Sequence, residues 1–228
     1  MRIDGFSIQG SRPTQQDAYA VGTGRDKAYC VVVDGMGGMI RGDEAAQRAL
    51  SASVGVLDAG GSPLDAVLAA QAAVHRWASQ GGILGRTGAT MAVAAVNLRD
   101  GTLEWASVGD CRVYLFKGGR LSRLSLDHNV SSEMVLLGRG PVPGPVGEMI
   151  TSFIGIENLT EISTSEAPLP LEAGEGVLVV SDGVYRSLHE DRIAMALSRG
   201  SDARGILQEV EAQGRPYQDN ATLALVIL

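Results

Sequence analysis

Apolar residues gather in short runs bounded by glycine, asparagine and aspartate. Lys27 to Val33 (KAYCVVV), Ala89 to Val96 (ATMAVAAV), Thr102 to Val108, Arg112 to Lys117, Val177 to Val180 and Thr222 to Leu228 are each about the length of a strand and rich in β-branched or aromatic residues. The second and third runs are separated only by Asn97 to Gly101, which contains Asp-Gly, and Lys117-Gly118-Gly119-Arg120 is a second tight turn. Connections this short favour antiparallel neighbours, because a parallel return needs a longer crossover. Helical spacing occurs elsewhere. Ala45, Ala46, Ala49, Leu50, Val54 and Leu57 share one face of a helix over Asp43 to Leu57. Ser62-Pro63-Leu64-Asp65 is a helix start, with a capping serine, proline at the first helical position and an acid in the first turn. The stripe Leu64, Val67, Ala70, Val74, Trp77 carries that helix to Gly81-Gly82, and shorter helices are expected over Glu190 to Arg199 and Asp202 to Gln213. Strands, a helix pair, strands, a second helix pair and a last strand make an α+β chain with antiparallel sheets.

One stretch breaks the pattern. Asn129 to Met149 holds Gly138-Arg139-Gly140-Pro141-Val142-Pro143-Gly144-Pro145 and reads as an exposed loop, either a passive connection or a flap beside a site. The 228 residues fit one domain, and the composition, 45% hydrophobic and 20% charged, is that of a globular protein with a core of its own. A formal net charge of −7, with 19 Lys and Arg against 26 Asp and Glu, argues against a general nucleic-acid binder. Cys30 and Cys111 form no C-x-x-C pair, which excludes a disulfide scaffold and a thiolate zinc site and suits a reducing compartment. No apolar run approaches the roughly 20 residues of a membrane span. The beginning Met1-Arg2-Ile3-Asp4-Gly5 lacks the apolar core of a signal peptide, so a cytoplasmic protein is expected.

Candidate chemistry lies where the strands stop. Val31-Val32-Val33 runs into Asp34-Gly35, Val177 to Val180 into Ser181-Asp182-Gly183, and Ala106-Ser107-Val108 into Gly109-Asp110, while Asp219-Asn220 precedes the last strand and Asp17 an early apolar stretch. A single Asp-Gly after a strand is usually a turn. So many carboxylates at strand ends, with few arginines and lysines nearby, predict severe repulsion unless a cation joins them. Oxygen-only donors select hard ions such as Mg²⁺ or Mn²⁺. His75, His128 and His189 have no zinc spacing. Two metals sharing a carboxylate could activate a water and stabilise charge on a transferring phosphoryl group, and Arg12, shortly before Asp17, has the fork to hold phosphate oxygens.

These residues, in this order, resemble the metal-dependent serine/threonine protein phosphatases of type 2C, the PPM family. The resemblance runs from Gly10 to Leu228. Gly10 to Ala18 is similar to the opening motif, Val33-Asp34-Gly35-Met36-Gly37-Gly38 with Gly42-Asp43 to the second, and Thr87-Gly88-Ala89-Thr90 to a Gly-Ser-Thr turn. Val108 to Tyr114 resembles the Gly-Asp-Ser-Arg motif, Asp127-His128 the pair before the flap, and Val180 to Gly183 and Asp219 to Thr222 the closing motifs. The resemblance implies two packed antiparallel sheets flanked by helix pairs, a single catalytic domain over residues 1–228, and a flap around 129–149. It implies that Asp34 bridges two Mn²⁺ or Mg²⁺ ions and that the Gly35 carbonyl serves one of them. Asp182 and Asp219 ligate the other, and Asp110 with Asp182 matches a third, weaker ion of bacterial members. Asp17 and Gln16 stand behind the ligands, Asn220 shapes the turn at Asp219, and Arg12 holds substrate phosphate. The expected reaction is hydrolysis of phosphoserine or phosphothreonine by a metal-bridging water, opposing a serine/threonine kinase. A monomer is expected, with phosphoprotein substrates and no nucleic-acid or membrane partner.

Several positions depart from the family pattern. Gln16 stands where Glu is usual and weakens one metal's water-mediated support. Met36 stands where eukaryotic members often have His and bacterial members commonly have Met, Met39 stands at another position that is often His, and the Gly/Pro-rich flap is short. Two alternatives therefore stand beside an active phosphatase: a pseudophosphatase that binds phosphoproteins without turnover, and a hydrolase of small phosphate esters.

Overall fold

The long apolar runs become strands that are buried on both faces. In the computed structural model, which describes residues 1–228, the strands in chain order are β1 (Arg2–Ile8), β2 (Asp17–Gly24), β3 (Lys27–Gly35), β4 (Ala89–Asn97), β5 (Thr102–Val108), β6 (Arg112–Lys117), β7 (Arg120–Arg123), the short β8 (Ser163–Thr164) and β9 (Leu169–Pro170), β10 (Gly176–Val180) and β11 (Ala221–Ile227). The helices are α1 (Gly42–Asp58), α2 (Pro63–Gln80), α3 (Val130–Leu136), α4 (Asp182–Tyr185), α5 (Glu190–Ser198) and α6 (Ala203–Glu211). One sheet is ordered β1-β11-β10-β6-β7 and the other β2-β3-β4-β5-β8, with β9 also on β5. Every pairing is antiparallel.

Side-chain alternation builds three apolar layers from these strands. On β3, Ala28, Cys30 and Val32 pack with Val177, Val179, Ala224 and Val226 between the sheets. The intervening Tyr29, Val31 and Val33 face α1 and α2, where Ala45, Ala46, Ala49, Ala66 and Ala70 keep those helices close. On β10 and β11, Leu178, Val180, Leu223 and Leu225 pack with Ile193, Ile206, Leu207 and Val210 of α5 and α6. The two helix pairs flanking two packed antiparallel sheets are the architecture expected. Ser62 caps α2 through a full capping box with Asp65 and with Pro63 at the start, as the sequence predicts.

The edges and the flap differ from the sequence reading. β1 and β2 carry no long apolar run: each is an edge strand, half-buried over much of its length and interrupted by glycine. The stretch 129–149 is not all loop, because Asn129 accepts a hydrogen bond from the Ser132 N–H (2.9 Å) and starts α3. The adjoining Gly/Pro run obscures this turn of helix, and Val135, Leu136 and Leu137 are left exposed. No helix is long and apolar enough to cross a membrane.

Register brings the carboxylates to one end. Asp17 faces Asp34 across β2 and β3, and Asp34 faces Thr90 across β3 and β4. In the other sheet Val180 faces both Arg112 and Leu223, so the residues just beyond β10, before β6 and before β11 lie together. The turn into β6 depends on Gly109, whose φ of 87° lies in the left-handed region and whose missing Cβ leaves room for the Thr90 side chain. Gly109→Ala is expected to cost on the order of 3 kcal/mol through strain and collision, read in a thermal melt as a Tm lower by roughly 10 °C. An unchanged Tm would show that the turn adapts.

Candidate active site

A cleft of about 200 Å³ opens where the strand ends meet, lined by Arg12, Gln16, Asp34, Gly35, Met36, Gly37, Thr90, Asp110, Ile150, Asp182, Asp219 and Asn220. Of the residues to which the resemblance gives a role at the ions or the phosphate, all line it except Asp17, which is buried. The loop bearing Arg12 is tied to the strand ends by Asn220. Its side chain accepts from the Gln16 N–H (2.8 Å) and donates to the Gln9 and Thr14 carbonyls (2.7 and 3.1 Å). Asn220 thereby ties the loop that carries Arg12 to the turn that carries Asp219. Gly35 leaves no space for a Cβ, because Gly42 and Gln16 backbone atoms crowd it, and its N–H donates to the Gln16 carbonyl (3.1 Å).

Burial and like charge dominate the electrostatics. Asp17 accepts from Ser181 Oγ (2.7 Å) and Thr222 Oγ1 (2.6 Å) through Oδ2, while its Oδ1 is buried with no partner. Burial pushes the Asp17 carboxyl up to about 6 despite those two donors. Burial, then the charges of Asp17, Asp182, Asp110 and Asp219, raise Asp34 well above the usual carboxylate range. Asp182 is pushed up to about 7 by burial and then by Asp110, and Asp110 is raised by burial and then by Asp127.

Basic partners are nearer than the sequence suggested. Arg12 Nη2 meets Asp219 Oδ2 at 2.5 Å. Arg186 Nε meets Asp182 Oδ2 at 3.0 Å, with Arg186 Nη2 at 3.9 Å from Asp110 Oδ2. Sequence reasoning passed over Arg186, although its place four residues after Asp182 was a usable signal. It also gave no role to Ser181 and Thr222, although both lie inside the closing motifs. Asp127 and His128 act on the turn rather than in the cleft. Asp127 is gripped by Arg112 (3.1 and 2.8 Å) and Arg123 (3.2 Å). His128 Nδ1 accepts from the Gly109 N–H (3.0 Å), and burial lowers its pKa, keeping the ring neutral for that bond. His75 and His189 stand outside the cleft.

The donor set fits a hard divalent cation in chemistry: oxygen atoms only, mutually repelling carboxylates, and an unpartnered buried oxygen on Asp17. The side chains do not stand as a closed shell, since no three His, Cys, Asp or Glu groups are gathered at joint ligating distance. Arg12 and Arg186 engage Asp219 and Asp182 instead.

Fold and cleft together define a class. The serine/threonine phosphatase PstP/Ppp of Mycobacterium tuberculosis, 24% identical, shares the fold with a TM-score of 0.83 over 100% of this chain and 98% of that one. The family model described as Protein phosphatase 2C matches residues 7–224, and the chain belongs to that family. A Stage II Sporulation E family protein from Thermanaerovibrio acidaminovorans is 90% identical, with a TM-score of 0.76 over 92% of this chain and 100% of that one. Among curated proteins, "Probable protein phosphatase 2C 41" of Oryza sativa subsp. japonica is 26% identical over 159 residues, 64% of this chain and 56% of that protein. The chain thus spans a little over half the length of the curated relatives it matches.

Raised carboxyl pKa values make the chelated protein sensitive to base. A carboxyl whose folded pKa exceeds its unfolded value stabilises the fold fully below the unfolded pKa and loses that contribution as pH rises through the folded pKa. For Asp17 the window runs from near 4 to beyond about 6, and for Asp182 to beyond about 7. Protein held in chelator should lose on the order of 2 kcal/mol attributable to Asp17, roughly 5 °C in Tm, between pH 4 and pH 8. Asp17→Asn should flatten that part of the profile. A slope identical in both proteins would remove Asp17 as its source.

Proposed function

We propose that this chain is a metal-dependent phosphatase of phosphoserine and phosphothreonine in proteins, acting as a single catalytic domain over residues 1–228. The observation that carries this reading is the convergence of Asp34, Asp182 and Asp219 with Arg12 in one polar cleft of a protein phosphatase 2C family member. The solved relative that shares the fold at 24% identity is itself named a serine/threonine phosphatase, which supports the substrate class.

In this reading Asp34, the Gly35 carbonyl, Asp182 and Asp219 hold two Mn²⁺ or Mg²⁺ ions. Bound there, such ions supply Lewis acidity and a water activated near neutral pH. Asp17, with one oxygen fixed by Ser181 and Thr222, offers its free Oδ1 to an ordered water. Gln16 gives a neutral amide in the neighbouring position, which makes its support weaker than a carboxylate's. Arg12 exchanges Asp219 for the substrate phosphate: its side chain is half exposed at the mouth of the cleft, and its planar fork suits phosphate oxygens. A kinase that phosphorylates serine or threonine supplies the substrate.

Phosphate release from a phosphothreonine peptide should require Mn²⁺ or Mg²⁺ and stop in chelator. Asp34→Ala should lower turnover by roughly a thousandfold, the several kcal/mol expected when such a centre is broken. Turnover without metal, or near-normal turnover in Asp34→Ala, would refute the reading. Folded protein with no turnover under any metal would leave it a phosphoprotein binder, and faster release from nucleotides or sugar phosphates than from phosphopeptides would make it a small-ester hydrolase. Arg12→Ala should raise KM for a small aryl phosphate by about tenfold, one charge-assisted contact, with little change in Mn²⁺ affinity. A fixed KM with weakened Mn²⁺ binding would show that Arg12 serves the metal side instead.

A further inference from the structure

Arg186 joins three carboxylates from three separate parts of the chain. It follows α4 directly, with its N–H on the Asp182 carbonyl (3.0 Å), so its side chain returns along the same face to Asp182. Nε bonds Asp182 Oδ2 at 3.0 Å, Nη2 lies 3.9 Å from Asp110 Oδ2, and Nη1 bonds Glu148 Oε2 at 2.7 Å. Asp110 is buried, and Arg186 is its one basic neighbour within salt-bridge distance. Tyr185 sits beside it with its hydroxyl 3.2 Å from the Asp110 carbonyl and 3.3 Å from Asp110 Oδ2, and Arg112 stacks 3.5 Å above the Tyr185 ring. Asp110 is thus held between a hydroxyl and a guanidinium.

That guanidinium stands between the two carboxylates to which the resemblance assigns a third ion. A divalent ion entering there would compete for oxygens already engaged and would meet a like charge at salt-bridge distance. Arginine cannot give up its proton to make way. Its anchor on Glu148, within the stretch 129–149, resists swinging the side chain out to solvent.

We propose that Arg186 is a built-in cation that takes the place of the third ion, leaving a cleft that binds two. Arg186 is a positioning residue: it fixes Asp110 and one oxygen of Asp182 and ties Glu148 to the rim of the cleft. The inference rests on the proposed reading of Asp34, Asp182 and Asp219 as ion ligands.

The test counts bound Mn²⁺ by equilibrium dialysis and calorimetric titration, with thermal melts to confirm that each variant is folded. Wild type is expected to saturate at two ions per chain. Arg186→Gln should admit a third, at least about tenfold tighter than any third site in wild type. Arg186→Lys, which keeps the charge, should return the count to two, and adding Asp110→Asn to Arg186→Gln should abolish the third ion. Three ions in wild type as tight as those in Arg186→Gln, or a count that stays at two in Arg186→Gln, would overturn this inference while leaving the two-ion reading intact. Wild type that binds no Mn²⁺ would overturn the ligand assignment itself, and this inference with it.

Discussion

Repulsion among converging carboxylates is the constraint around which the cleft is organised. Antiparallel register sets Asp17 directly opposite Asp34, an arrangement that is unfavourable for like charges on adjacent strands. The second sheet then delivers Asp182, Asp219 and Asp110 to the same end. The surroundings respond group by group. Two hydroxyls donate to Asp17, Arg12 pairs with Asp219, and Arg186 spans Asp182 and Asp110. Asp34 sits at the centre with no salt bridge of its own, and burial and four neighbouring carboxylates drive its carboxyl toward the neutral form. A site arranged this way stores a demand for positive charge at one point, and Asp34 is where a bridging cation answers it in the proposed reading.

The rigid part of the molecule makes that arrangement durable. β3 and β10, which end at Asp34 and just before Asp182, are buried on both faces, one face in the layer between the sheets and the other under a helix pair. Moving either strand end would disturb two apolar layers at once, and close-packed interiors resist such shifts. The residues that meet a substrate in the proposed reading lie instead on more exposed segments: Arg12 on an exposed loop, and the stretch after Asp127-His128 with its short helix and glycine-proline run. In the proposed reading, buried acidic groups and an exposed basic one divide the work of binding a dianion carried by proteins of different size.

Much of this was legible in the sequence, for identifiable reasons. Central strands buried on both faces are largely apolar, so β3, β4, β10 and β11 stand out as runs, and the aspartates that end or follow strands stand out by contrast. β1 and β2 do not, because an edge strand tolerates glycine and polar residues and takes its identity from its partner. α3 was concealed by the prolines beyond it. Arg186 illustrates a different limit. Its spacing from Asp182 is local, but Asp110 and Glu148 are distant in sequence, and only the fold shows that one guanidinium reaches all three. His128 shows the same limit: its Nδ1 holds the Gly109 turn, nineteen residues away in sequence.

The chemistry open to the cleft follows from what lines it. Cys111 follows Asp110 directly, but it is buried, hydrogen-bonded with Thr90 Oγ1 (3.2 Å), and held well above the usual thiol pKa by burial and by the charges of Asp34 and Asp110. A thiol so disfavoured as thiolate cannot attack phosphorus. No histidine lines the cleft, and Met36 stands where one could have served as a proton donor. The lining residues that ionise are thus carboxylates and Arg12, and in the proposed reading the carboxylates serve to attract positive charge. Hydrolysis in the proposed reading is direct, with water as nucleophile. The protein's own contribution reduces to placement: Arg12 for the phosphate, Asp34 and its neighbours for positive charge, and Asp17 for an ordered water.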